Sequence, residues 1–138
     1  GLNFKYELKI RQFSHNTIIN LLRGATKEGV PLAHIPPTNI ISSINYNYRN
    51  HSFSLSSHYN ALKKASEYDI GGVDNIEEAT LIGNPSWYTI NLKYRTTIDK
   101  NLTFIAGINN IMDTHYKTFG SGISASGRNF TLSLQSKF

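Results

Sequence analysis

Seven times along the chain, apolar and polar side chains alternate closely enough to define two faces, a period of 2 that suits a half-buried strand and no helix. The first stretch sets the pattern, with Leu2, Phe4, Tyr6, Leu8 and Ile10 facing one way and Asn3, Lys5, Glu7, Lys9 and Arg11 the other. A second stretch is placed at 17–26, where the doublets Ile18-Ile19 and Leu21-Leu22 blur the alternation. Residues 39–49 set Ile40, Ile44, Tyr46 and Tyr48 against Asn39, Ser43, Asn45, Asn47 and Arg49. Phe53, Leu55, Tyr59 and Ala61 repeat the device, as do Tyr88, Ile90, Leu92 and Tyr94, then Leu102, Phe104, Ala106 and Ile108. The last stretch aligns Phe130, Leu132, Leu134 and Phe138 opposite Asn129, Thr131, Ser133, Gln135 and Lys137. With no sustained 3.6 period, the fold class is all-β, an antiparallel meander of about seven strands. Shared parity predicts that Phe4, Tyr6, Leu8, Tyr46, Tyr48, Phe53, Leu55, Ile90, Leu92, Phe104, Leu132 and Leu134 lie on one continuous face.

The connections add direction. Tight turns are expected at Ser14-His15-Asn16, Asn50-His51 and Asp99-Lys100-Asn101, and long loops at 27–37, 67–85 and 113–127. Because short and long alternate, all the turns fall at one end of the sheet and all the loops at the other. Transmembrane β-barrels have this asymmetry, and a strand of ~9 to 11 residues crosses a bilayer when tilted. The longest apolar run is too short for a membrane-spanning helix, which leaves strands as the membrane option. A soluble barrel shows the same alternation with its apolar face turned inwards. Tyrosines near the strand ends and the aromatic Phe138 favour the membrane wall, since aromatic side chains settle at headgroup level.

At 138 residues the chain makes one domain, and the absence of cysteine excludes disulfides, thiolate metal sites and cysteine nucleophiles. The net charge of +5 is spread singly along strands, without the basic stripe and interleaved aromatics of a nucleic-acid binder, so no nucleic-acid partner is expected. No Gly-x-Ser-x-Gly elbow, phosphate-binding loop or carboxylate pair with a nearby base is present, and an enzyme is the least supported class. Residues 120–125, Gly-Ser-Gly-Ile-Ser-Ala, match a dinucleotide string in letters only, with no helix pattern after them, and no cofactor is expected. Glu67, Asp69, Asp74, Glu77 and Glu78 share one loop without the spacing of a calcium loop, and read as a solvated acidic segment. The histidines are scattered; His34 and His115 share the long-loop end, where the functional reading is contact with an iron or haem compound and the plain one is loop solvation.

Two segments carry a resemblance. Residues 29–37, Gly-Val-Pro-Leu-Ala-His-Ile-Pro-Pro, and 107–113, Gly-Ile-Asn-Asn-Ile-Met-Asp, followed by Tyr116, Gly127-Arg128 and an aromatic end, resemble the barrel of TonB-dependent outer-membrane receptors. Met112 stands where that family often has Phe, and Ser126 where Pro is frequent. The resemblance runs over residues 1–138 and implies the C-terminal portion of such a barrel. Its signature positions here are Pro31, Leu32, Ile35, Pro36, Pro37, Asn109, Asn110, Asp113, Tyr116, Gly127 and Arg128. The direct reading of Ile35-Pro36-Pro37 is structural, since consecutive prolines remove two donors and stop pairing before the next strand. Asn109, Asn110 and Asp113 read as local caps where a strand gives way to a loop, and Arg128 as an anchor of that loop to a carboxylate.

The resemblance further implies energised uptake of a scarce nutrient, such as an iron-siderophore, haem, cobalamin or a glycan, across the outer membrane of a Gram-negative bacterium. It implies as partners the membrane lipid, a plug domain, the remaining strands, TonB through an N-terminal part not contained here, and the barrel-assembly machinery. Phe130, Leu132, Leu134 and Phe138 would be the signal that this machinery reads. A start at Gly1 without a signal peptide suggests a fragment or processed product, which by itself would oligomerise. The alternatives are a small soluble all-β binding protein and a self-contained small outer-membrane barrel.

Overall fold

A computed structural model describes residues 1–137; Phe138, with its expected signal role, lies outside the described residues. The chain runs β1 (Leu2–Ile10), β2 (Phe13–Leu21), β3 (Asn39–Tyr48), β4 (His51–Asn60), β5 (Lys63–Lys64), β6 (Gly83–Asn84), β7 (Trp87–Asp99), β8 (Leu102–Asn109) and β9 (Asn129–Ser136). Two single-turn 3-10 helices, Ala65–Glu67 and Ile76–Glu78, sit between β5 and β6. Seven strands form one sheet in the order β1-β2-β3-β4-β7-β8-β9, while β5 and β6 pair separately. Every neighbour in the large sheet is antiparallel, as the meander requires.

The register sorts the side chains. One row crosses all seven strands as Leu8, His15, Ile44, Leu55, Leu92, Ile108 and Phe130, and the next row on that face as Ile10, Phe13, Tyr46, Phe53, Tyr94, Ala106 and Leu132. Between them, on the opposite face, lies Lys9, Ser14, Asn45, Ser54, Lys93, Gly107 and Thr131. Directly paired residues point the same way, so the whole set expected from parity shares one face. That face stays open, with Phe130 at 72% and Leu132 at 77% exposure.

Aromatic rings band the apolar face. Near the short turns Phe13, Tyr46, Phe53 and Tyr94 run side by side across four strands, with successive centroids 4.7, 6.5 and 4.9 Å apart. Tyr59 and Tyr88 pair nearer the long loops. The polar face carries amide ladders: Asn3 to Asn20, Asn20 to Asn39 at 2.9 Å, and Asn109 to Asn129 at 2.9 Å.

One strand departs from expectation. The second strand occupies Phe13–Leu21, four residues before the expected start, and the turn falls at Arg11 and Gln12, not at Ser14-His15-Asn16. Arg11 supplies the reversal by adopting φ 52°, and Arg49 does the same at φ 53°. His15 therefore belongs to the apolar face, where its Nε2 lies 3.0 Å from both Thr17 Oγ1 and Ser42 Oγ, satisfying three polar groups mutually. Each short turn is stitched to chain beyond its own hairpin: Asn47 N–H in β3 donates to Gln12 O at 2.9 Å, Thr97 N–H in β7 to Asn50 O at 3.0 Å, and Lys137 N–H, just past β9, to Asn101 O at 2.9 Å. A single layer of sheet buries little, and the buried aromatic side chains among the described residues, Tyr68 and Trp87, both lie at the long-loop end.

Candidate functional site

The three long loops, residues 22–38, 61–86 and 110–128, gather into a cap. The second loop is central because it bonds to both others. His34 N–H donates to Asp74 Oδ1 at 2.8 Å, and Lys63 Nζ donates to Ile35 O at 2.7 Å, tying the first loop to the second. Asn75 Nδ2 reaches Gly120 O at 2.8 Å, Asn84 Nδ2 reaches Lys117 O at 3.3 Å, and Lys117 Nζ pairs with Glu78 Oε2 at 2.9 Å, tying second to third. Within the second loop β5 and β6 cross at Gly83, whose φ of +111° and closeness to Lys63 O leave no room for a Cβ.

A small core lies inside this cap. Tyr68 meets Phe119 edge-on at 5.5 Å, and Lys63 Nζ lies 5.1 Å from the Phe119 ring centre. Lys63 is only 4% exposed, so desolvation pulls its pKa below the ordinary lysine value, against the opposing pull of Asp74 and Glu67. Burial and the Asp74 charge together push the Tyr68 hydroxyl up. Asp74 itself is 2% exposed and its Oδ2 has no partner among the described residues, which corrects the expectation of a wholly solvated acidic loop. Burial of Asp74 and Lys63 left no mark in the sequence, because loop packing has no period.

The signature residues of the third loop form a hinge block. Asn110, at 4% exposure and φ 50°, donates from Nδ2 to Thr114 O at 2.9 Å and to Ser126 O at 3.2 Å, and accepts Thr114 N–H on Oδ1 at 3.0 Å. Its own N–H donates to Asn91 Oδ1 at 2.8 Å. Asp113 Oδ1 accepts the backbone N–H of Arg128 at 2.6 Å, while Arg128 Nε donates to Ile111 O at 2.8 Å. The loop is thus anchored to a carboxylate through the Arg128 backbone, and the guanidinium holds a carbonyl. Gly127 lies close beside them: a Cβ there would sit 2.7 Å from Asp113 Oδ1 and displace the carboxylate from the Arg128 N–H.

Tyr116 stacks on Trp87 at 4.0 Å, and His58 meets that indole edge-on at 4.9 Å. Trp87 belongs to the polar face of the sheet, so the third loop folds over that face. Trp87, Tyr116, His115 and Lys117 help line a cavity of about 280 Å³. In the first loop, Pro31 bridges Ala25, Leu32 N–H donates to Gly24 O at 3.1 Å, and Pro36 and the buried Pro37 wall a cleft of about 630 Å³. His34 contacts Asp74 whereas His115 contacts Ser124, so the two loop histidines have different partners. Among the described residues no three His, Asp or Glu side chains gather as a metal site. Phe130, Leu132 and Leu134 lie on the apolar face of the edge strand β9.

No family model and no curated protein matches the chain in sequence. Among solved structures it is similar to the copper transporter OprC, with a TM-score of 0.77 and 15% identity over 97% of this chain. The chain spans 21% of the length of that protein, and the likeness is one of fold.

Proposed function

We propose that this chain forms a stretch of wall and outer loops in an outer-membrane transport barrel, working with a plug domain and TonB to take up a scarce nutrient. The observation that carries the reading is the concentration of most large apolar side chains of the seven strands on one face, Ile18, Ile41, Trp87 and Ile105 lying on the other, with all long loops at one end. In lipid, backbone groups must be satisfied by the sheet and apolar side chains must face outwards. The ring band from Phe13 to Tyr94 fits one interface and Tyr59 with Tyr88 the other. Loop 110–128 covering Trp87 supports the polar face as the interior, because barrel loops fold inwards over a lumen. A soluble binder would place the faces the other way round.

The copper carried by the structural neighbour joins iron-siderophores, haem, cobalamin and glycans as cargo classes to be tried. The orientation is tested with single tryptophans in a tryptophan-free version of the full reading frame, Trp87→Phe included, refolded into vesicles containing brominated lipid. Leu55→Trp and Leu92→Trp should be strongly quenched and Ser56→Trp and Asn91→Trp should not. The opposite pattern, or no vesicle association, would sink the wall reading. Energised uptake is tested separately in cells carrying the full reading frame, where collapse of the proton gradient should abolish accumulation of the cargo.

A further inference from the structure

We propose that the cleft between the first and second long loops is an anion-binding site for a group bearing clustered carboxylates or phosphates, with Lys63, Arg23 and Lys64 as its cationic ligands. Lys63 is the foundation. A lysine ammonium has three donors, and here one is used, by Ile35 O at 2.7 Å. Among the described residues no carboxylate lies within ion-pair distance of that nitrogen, although the side chain is 4% exposed. A buried cation in this condition is costly unless paired. The aromatic faces of Phe119 and Tyr68 and the more distant charges of Asp74 and Glu67 supply part of the compensation, and two of the three ammonium donors are left to a ligand.

The surroundings favour an anion over a cation. Asp74, with Oδ1 on the His34 N–H and Oδ2 unpartnered among the described residues, does not line the cleft, and Glu67, the one carboxylate that does, accepts the Lys64 N–H on Oε2 at 3.1 Å. Three cationic side chains against that single engaged carboxylate leave the lining net positive. Pro31, Pro36 and Pro37 form stiff walls that give up little entropy on binding and carry no N–H. The volume of about 630 Å³ accepts a small polyanion and not a folded partner.

The site rests on the proposed function only in facing the outside of the cell, and binding to detergent-folded protein tests it without any transport step. Titration calorimetry of the full chain with tricarballylate and with inorganic pyrophosphate should give saturable binding that weakens with added salt. A further arm compares mixed micelles holding phosphatidic acid with micelles holding phosphatidylcholine, which separates a lipid headgroup from a free solute. Lys63→Met should weaken binding roughly tenfold or more, and Lys63→Arg should retain most of it. Because Lys63 also holds Ile35, the exposed pair Arg23→Gln with Lys64→Gln is the second test, expected to weaken binding roughly tenfold with Trp87 emission unchanged. Absence of saturable binding in every arm, or wild-type affinity in the folded double variant, would overturn the site while leaving the barrel reading intact.

Discussion

Asn110 holds more of the long-loop end together than any other side chain described above. Asn110→Ala removes the bonds to Thr114 and Ser126 and places a Cβ residue at φ 50°, so it should destabilise by about 3 kcal/mol. Asn110→Gly loses the same bonds but fits the backbone, and should recover about 1 kcal/mol of that; urea unfolding in detergent compares the two. A cap at this point was legible in the sequence, because a short polar residue at a strand end has few other uses. Lys63 was not legible, since its burial depends on Ile35 and Phe119 from two other loops. Its lowered pKa means that the unfolded chain binds the proton more tightly. Stability should therefore rise as pH climbs through the folded value towards about 10.4, and Lys63→Met should lose that gain. Tyr68 has the opposite sign: with its pKa raised, stability falls above about pH 10, and Tyr68→Phe should remove that fall in a pH series of urea midpoints.

At the scale of the element, neighbouring residues of one strand should respond oppositely to the same charge. Leu55→Arg on the apolar face of β4 should cost about 2 to 4 kcal/mol of folding free energy in vesicles, and Ser56→Arg on the polar face close to nothing. Equal costs would contradict the assignment of faces. Gly83→Ala should loosen the β5–β6 crossing and expose loop 61–86 to protease while the seven-stranded sheet persists by circular dichroism. The strands were legible because period 2 is local information, and β8 fell where the alternation put it. β2 was misplaced because Ser14-His15-Asn16 has the composition of a turn, while the real turn uses Arg11, a residue with no turn preference. The β5–β6 pair, two residues each, carries no periodicity at all.

Among the described residues the sheet ends in β1 on one side and β9 on the other, each with an unpaired row of backbone groups. Together with the open apolar face this should make the isolated chain oligomeric in plain buffer, and light scattering after chromatography should show a mass above one chain; a monodisperse monomer would contradict the prediction. The meander has one more consequence. Since each strand pairs only with its neighbours in the sheet order, a hairpin can be gained or lost without rewiring anything beyond its two flanks. Stitching of each short turn to the chain flanking its hairpin lets such a unit seat itself by local zippering. A sheet of this kind can widen over evolutionary time by duplication of hairpins, whereas its long loops, bonded to one another, must change together.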